Sequence, residues 1–137
     1  MLNETICRLR EMELIGNDDI VITCTENHEK AQPEVCERSG ATIFVEKGRY
    51  ILAANNDCLR IFDVDRRTGS FLGIFYRIEK KEITAAAING RSGSFCVRLI
   101  TPSGKFTYAT KNRLCGRDQE NEIARLKEYF TSYFAEV

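Results

Sequence analysis

Residues 94–110 read SFCVRLITPSGKFTYAT, and their pattern sets the fold class. Phe95, Val97 and Leu99 alternate with Ser94, Cys96 and Arg98, and Phe106 and Tyr108 alternate with Lys105, Thr107 and Ala109. A period of two puts each set on one face of a pleated strand. The break between the two runs, Thr101-Pro102-Ser103-Gly104, is short and rich in turn residues. A gap that short turns the chain back antiparallel to itself, because a parallel crossover takes about a dozen residues or more. Runs of the same kind, separated by short polar breaks, extend upstream to residue 41. They predict seven strands, at 41–46, 49–55, 58–64, 71–78, 83–89, 94–100 and 105–110.

Downstream, residues 119–136 predict a helix. Ile123, Leu126, Phe130, Tyr133, Phe134 and Val137 form one apolar stripe along it. Asp118 can cap its start, and Glu120 and Glu122 fall in the first turn, where the helix dipole favours anions. So wide a stripe needs cover, and the open end of the preceding sheet supplies it. Upstream, Leu2, Ile6 and Leu9 mark a short amphipathic helix over 2–14, which Gly16 can end. Residues 19–25 predict a strand, and the polar stretch 26–40, with Pro33, a connector. The expected class is α+β, mainly β. Residues 41–137 form a seven-stranded antiparallel barrel or split sandwich capped by the C-terminal helix, and residues 1–40 add a helix and a strand packed outside it.

Seven antiparallel strands followed by one amphipathic helix is the element order of the pleckstrin-homology-like fold. Residues 50–64, YILAANNDCLRIFDV, resemble a segment of small bacterial members of that superfamily, in which a strand "lvlT", a turn Asn and "kRLif" recur. Asn55 stands where those proteins carry Thr, and Cys58 where they carry Arg. Ile78-Glu79-Lys80-Lys81-Glu82-Ile83 looks like their next strand lead-in, and the terminal helix is similar to theirs. The resemblance covers about residues 41–135. It implies a binding module in a bacterial-type cytoplasm. Members that hold lipid headgroups carry basic residues on the first hairpin and adjoining strands. The matching positions here are Lys47 and Arg49 on the hairpin, Arg60 on the third strand, and Arg66 and Arg67 in the next loop.

Charge bears on that implication. The chain of 137 residues carries 20 basic and 20 acidic groups, so overall charge gives no case for a nucleic-acid partner. The charges are nevertheless segregated. Residues 1–40 hold four basic against nine acidic groups, 41–117 fourteen against six, and 118–137 two against five. Either the acidic ends neutralise the basic middle, or a basic face is left for an anionic ligand or membrane headgroup. The longest apolar runs are about six residues, against the roughly 20 of a membrane-spanning helix.

Catalytic and metal signatures are thin. His28 is the one histidine and lies in the polar connector, which leaves nucleophilic triads without a base elsewhere. Gly90-Arg91-Ser92-Gly93-Ser94 has its glycine one residue early for a nucleophile elbow, and Pro102-Ser103-Gly104-Lys105 reads as a hairpin rather than a phosphate loop. Asp63, between Phe62 and Val64, is the only carboxylate in an apolar setting and reads as a strand-end residue. The expectation is a protein that is not an enzyme and uses no cofactor. Cys24, His28 and Cys36 are zinc-type ligands, with Glu26, Glu29 or Cys115 as a fourth, but their spacing lacks the close Cys pair of structural sites. No metal is expected, and the six cysteines read as reduced, mostly buried thiols.

Apolar surface offers a different function. In strand 71–78, Leu72, Ile74, Tyr76 and Ile78 are expected to face the core, leaving Phe71 and Phe75 pointing out. Strand 49–55 is apolar on both faces, with Ile51 and Ala53 opposite Tyr50, Leu52 and Ala54. The outward set of Ile51, Phe71 and Phe75 then needs cover, either from the N-terminal segment or from another chain. The leading expectation is a non-catalytic protein-interaction or self-assembly module whose partner is a protein or a second copy. The alternative is an anionic-ligand or membrane-headgroup module using the basic segment 41–117.

Overall fold

A computed structural model describes residues 2–26, 35–38, 41–44, 48–114 and 116–135. In chain order the elements are α1 (Leu2–Glu11), β1 (Ile20–Glu26), β2 (Val35–Arg38), β3 (Ala41–Phe44), β4 (Arg49–Ala54), β5 (Cys58–Val64) and β6 (Phe71–Glu79). A 3-10 turn (Lys80–Glu82) leads into β7 (Ala85–Arg91), β8 (Ser94–Thr101), β9 (Gly104–Lys111), β10 (Arg113–Leu114), β11 (Arg117–Asp118) and α2 (Glu120–Tyr133). The class is α+β and mainly β. One seven-stranded antiparallel sheet runs in the order β6-β5-β4-β1-β9-β8-β7.

The sheet has seven strands, as expected, but not the expected seven. β1, read from the sequence as packing outside, lies between β4 and β9. Its composition explains the place. Val21, Ile22 and Cys24 are all buried although they point to opposite faces, so this strand needs cover on both sides and an interior position supplies it. The strand expected at 41–46 does not join this sheet. β3 pairs instead with β2, which falls inside the expected connector.

Between β1 and β9 the sheet nearly splits. They pair only at Thr25↔Ala109 and Glu26↔Tyr108, whereas β1 pairs with β4 from Ile20↔Ala54 to Thr25↔Arg49. The first lobe is thus β6-β5-β4-β1 and the second β9-β8-β7. The main core draws on the inner faces of both, including Leu52, Leu59 and Ile61 from the first and Ile88, Val97 and Leu99 from the second. Tyr50 and Tyr108 meet edge to face across the split, with ring centroids 5.3 Å apart. α2 closes the core with Ile123, Leu126, Tyr129 and Phe130. On the outer face of the first lobe, α1 buries Leu2, Ile6 and Leu9 against Val21, Ile51, Ala53 and Phe62. Covered on both faces, β4 shows no burial alternation: Ile51, Leu52, Ala53 and Ala54 are all buried.

Where β9 leaves β1, side chains take over the ladder. Gln119 Oε1 accepts Thr23 N–H at 2.8 Å, and Gln119 Nε2 donates to Thr23 O at 3.1 Å, to Thr110 Oγ1 at 2.8 Å and to Lys111 O at 2.8 Å. Glu122 Oε2 accepts Val21 N–H at 3.0 Å, and Arg117 donates to Val21 O at 3.2 Å. The corner between β11 and α2 thereby satisfies the backbone groups that the diverging strands leave open. Desolvation in this corner lowers the Arg117 pKa below its ordinary value.

α2 ends at Tyr133, short of the expected 136, because Phe134 turns to extended backbone (φ −130, ψ 153). Ala135 then forms a parallel bridge with Ala85. The expected stripe holds at Ile123, Leu126 and Phe130 and, partly buried, at Phe134, but Tyr133 is exposed, with the Lys80 ammonium 3.2 Å from its ring centroid, and Val137 lies outside the described residues. Asp118 accepts Glu120 N–H at 3.2 Å, while Gln119 occupies the cap position.

Candidate interaction surface

β6 is an edge strand with a defect built in. Its register with β5 runs regularly from Cys58↔Glu79 to Phe62↔Phe75 and then jumps to Val64↔Phe71. Leu72, Gly73 and Ile74 therefore stand opposite Asp63 alone, a bulge of the kind that bends an edge and re-aims its side chains. Gly73 takes φ +83, in the left-handed region, and a Cβ there would meet nothing within 4 Å. The bulge protrudes into open space.

This corrects the expected burial along the strand, although the pairing keeps Tyr76 and Ile78 on the core side and Phe71 and Phe75 on the other. Leu72, Ile74 and Tyr76, expected in the core, are 55%, 57% and 58% exposed. Ile78 alone of that set is buried. Tyr76 pairs with the core residue Ile61 but sits at the core's rim, on the edge farthest in strand order from β7, against which α2 packs. The residues expected to point out are the better covered ones. Phe71 packs on the α1 cluster and meets Phe62 edge to face at 5.7 Å, and Ile51 is fully buried there. Phe75 stacks on Phe62 at 5.2 Å with 38% exposure. Ile51 and Phe71 thus have the N-terminal segment as cover.

The basic residues divide. Arg49 pairs with Val64, and Arg66 and Arg67 sit in the turn just after Val64, so these three share the end of the first lobe from which the bulge rises. Asp65 shapes that turn by accepting N–H bonds from Arg67 and Thr68 at 2.8 and 2.9 Å, which hold its carboxyl below the usual range. Thr5 on α1 donates to Gly69 O in the same turn. Arg60 is not part of this group. Its guanidinium donates to Leu14 O at 2.7 Å, under the segment that follows α1. Lys47, Cys115 and His28 lie outside the described residues, so the zinc arrangement that Cys24 and Cys36 would share with His28 does too; Cys36 is a backbone position of β2, paired with Ile43. Cys24 itself is in the main core, where burial pushes its thiol well above the ordinary value.

The signal for the bulge is Gly73 inside a β-rich run, a residue that marks bulges when it interrupts a strand. The exposed Leu72 and Ile74 follow from it.

No family model matches the chain, and no curated protein matches it. Among solved structures it is similar to the hSac2 domain from the human phosphoinositide phosphatase Sac2. The TM-score is 0.50 at 12% identity, with 97% of this chain and 83% of that one covered. At that identity the likeness is one of fold. Among the described residues no helix is long and apolar enough to cross a membrane.

Proposed function

We propose that the chain is a non-catalytic interaction module, in the manner of small bacterial pleckstrin-homology-like domains of the cytoplasm, and that its working surface is the bulged edge of β6. The observation that carries this is the run Leu72, Ile74, Phe75 and Tyr76, large apolar residues left exposed together on one sheet edge. Contiguous apolar surface of this kind marks association sites in soluble proteins. The simplest partner is a second copy of the chain. The non-catalytic part of the reading rests on the sequence, with its single histidine and missing nucleophile and phosphate-loop motifs.

Sedimentation velocity over a concentration series tests it. The wild type should self-associate, and Leu72→Asp with Tyr76→Asp should give a monomer with unchanged circular dichroism, since a charge in an apolar contact is costly unless paired. A wild type that stays monomeric to millimolar concentration would overturn self-association.

A second reading has its own support. Arg49, Arg66 and Arg67 share the end of the lobe that carries Leu72 and Ile74, so anionic headgroups and apolar contact could be engaged together. Pelleting with vesicles containing phosphatidylserine should then fall steeply with salt, because exposed charges are screened within about 8–10 Å. It should be lost in Arg66→Glu with Arg67→Glu.

A further inference from the structure

The sheet has a second edge, at β7, and this one is straight. Its pairing with β8 runs without a register shift from Ala85↔Ile100 to Arg91↔Ser94. It ends the strand order, so its outward backbone groups have no full strand beside them among the described residues. One group is taken by the chain itself: Ala86 N–H donates to Ala135 O at 3.0 Å, beside the parallel bridge of Ala85 and Ala135. Backbone groups alternate in direction along a strand, so those of Ile88 and Gly90 point to the same side as those of Ala86. A row of strand-type hydrogen bonds is thus begun at Ala86, and among the described residues it is left open toward Arg91.

A groove of about 330 Å³ runs beside this row, between β7 and α2. Ala86, Ile88 and Phe130 are its buried apolar lining. Lys127 and Thr131 of α2 form its exposed wall, and Asn89 lies on the strand side. Among the described residues no acidic side chain lines it, and the exposed Arg91 ends β7 at its far end. A straight edge with open bonds, next to an apolar channel, is the geometry in which an extended peptide adds as a strand: main-chain bonds give affinity, and alternate side chains give specificity. Edges that are not meant to pair are blunted by prolines, bulges or inward charges, and β7 has none of these.

We propose that the β7–α2 groove binds an extended acidic peptide of a partner protein as an eighth strand, continuing the row that Ala135 begins, with Lys127 and Arg91 selecting its charge. This surface is separate from the β6 edge, so either can fail without the other.

The test is a phage-displayed library of random twelve-residue peptides panned on the intact protein. Recovered peptides are synthesised with a fluorescein label and titrated by fluorescence polarisation. Asp and Glu should be enriched among them. Lys127→Glu should weaken binding about fivefold, as an attraction becomes a repulsion, and Thr131→Trp, which fills the groove, should abolish it. Both positions are exposed on α2, and circular dichroism checks that the variants fold. Amide exchange at Ile88 should slow on peptide addition, while Leu72→Asp should bind like the wild type. Failure to recover any binder, recovery of peptides without acidic enrichment, equal binding by the two α2 variants, or unaltered exchange at Ile88 would each overturn the proposal.

Discussion

Replacing Gln119 by Leu tests whether a single side chain holds the two lobes of the sheet together. The residue is 1% exposed, and its amide serves β1 and β9 at once. Leucine is close in size, so the substitution removes polar contacts with little change in volume. Thr23 N–H, which points away from β4 and, among the described residues, bonds Gln119 Oε1 at 2.8 Å, is orphaned in the interior. An unsatisfied buried donor costs about 1–3 kcal/mol. The Thr110 hydroxyl and the Lys111 carbonyl each lose a donor at 2.8 Å, at about 1 kcal/mol apiece. Thr23 O is affected less, because it keeps the Thr110 hydroxyl at 2.8 Å. The expected loss is about 3–5 kcal/mol out of a total of about 5–15 kcal/mol for a domain. Urea denaturation followed by far-ultraviolet circular dichroism reads it as a lowered midpoint. Gln119→Glu sharpens the test. It keeps an acceptor for Thr23 N–H but turns the donor end into a second acceptor facing two carbonyls. That site raises the pKa of the new carboxyl in the folded protein. Its penalty is therefore small below the unfolded value of about 4.3 and grows as pH rises above it, so this variant should be less destabilised at pH 4 than at pH 7. A Gln119→Leu midpoint within about 1 kcal/mol of wild type would refute the idea that these bonds replace the missing ladder.

Phe130, 1% exposed between the lobes, should cost about 3–5 kcal/mol when cut to Ala, whereas Glu128→Ala on the exposed side of α2 should leave the denaturation midpoint almost unmoved. Tyr129 donates its hydroxyl to Asn55 O at 2.7 Å, and desolvation pushes its pKa up to about 12. An unfolded tyrosine ionises near 10, so the phenol's contribution is intact below about pH 10 and declines from there to about 12; Tyr129→Phe should flatten the stability curve over that interval.

Element types were legible because their signals are local. The alternation at 94–110 gave β8, its turn and β9 nearly to the residue, and the stripe from Ile123 to Phe130 gave α2 and its buried face. Ile51 and Ala53 opposite Leu52 and Ala54 already showed that β4 needs two coverings. What that pattern could not say was which element supplies the second. Val21, Ile22 and Cys24 carried the same two-faced signal in β1, but a strand separated from its neighbours by a long connector reads as an appendage. Pairing partners are set by long-range fit and not by local period. For β6 the alternation placed Phe71 and Phe75 on the α1 side and Tyr76 and Ile78 on the core side, as the pairing has them, but it could not show that the bulge at Gly73 carries Leu72 and Ile74 out of the sheet or that an edge strand leaves Tyr76 uncovered. Gln119 left no trace in the sequence. A polar residue at a helix start reads as a cap, and its partners on β1 and β9 come together only in the folded chain.

The interior position of β1 has a consequence for synthesis. Its bonds to Thr110, Gln119 and Glu122 span 87, 96 and 101 positions. At ribosomal rates of about 5–20 residues per second, β1 waits roughly 5–20 seconds for the residues that will close its free side. Over that time the nascent chain can pair β1 with β4, β5 and β6 and lay α1 across them, but Val21 and Thr23 still present open strand groups. Until residues 110–122 have been made, the chain is vulnerable to pairing with a neighbouring nascent chain, because the contacts that end the exposure come from those residues. β9, the β10–β11 corner and α2 thus act as a kinetic gate on aggregation, and variants at Gln119 should lower the yield of soluble protein in cells by more than their equilibrium stability alone accounts for.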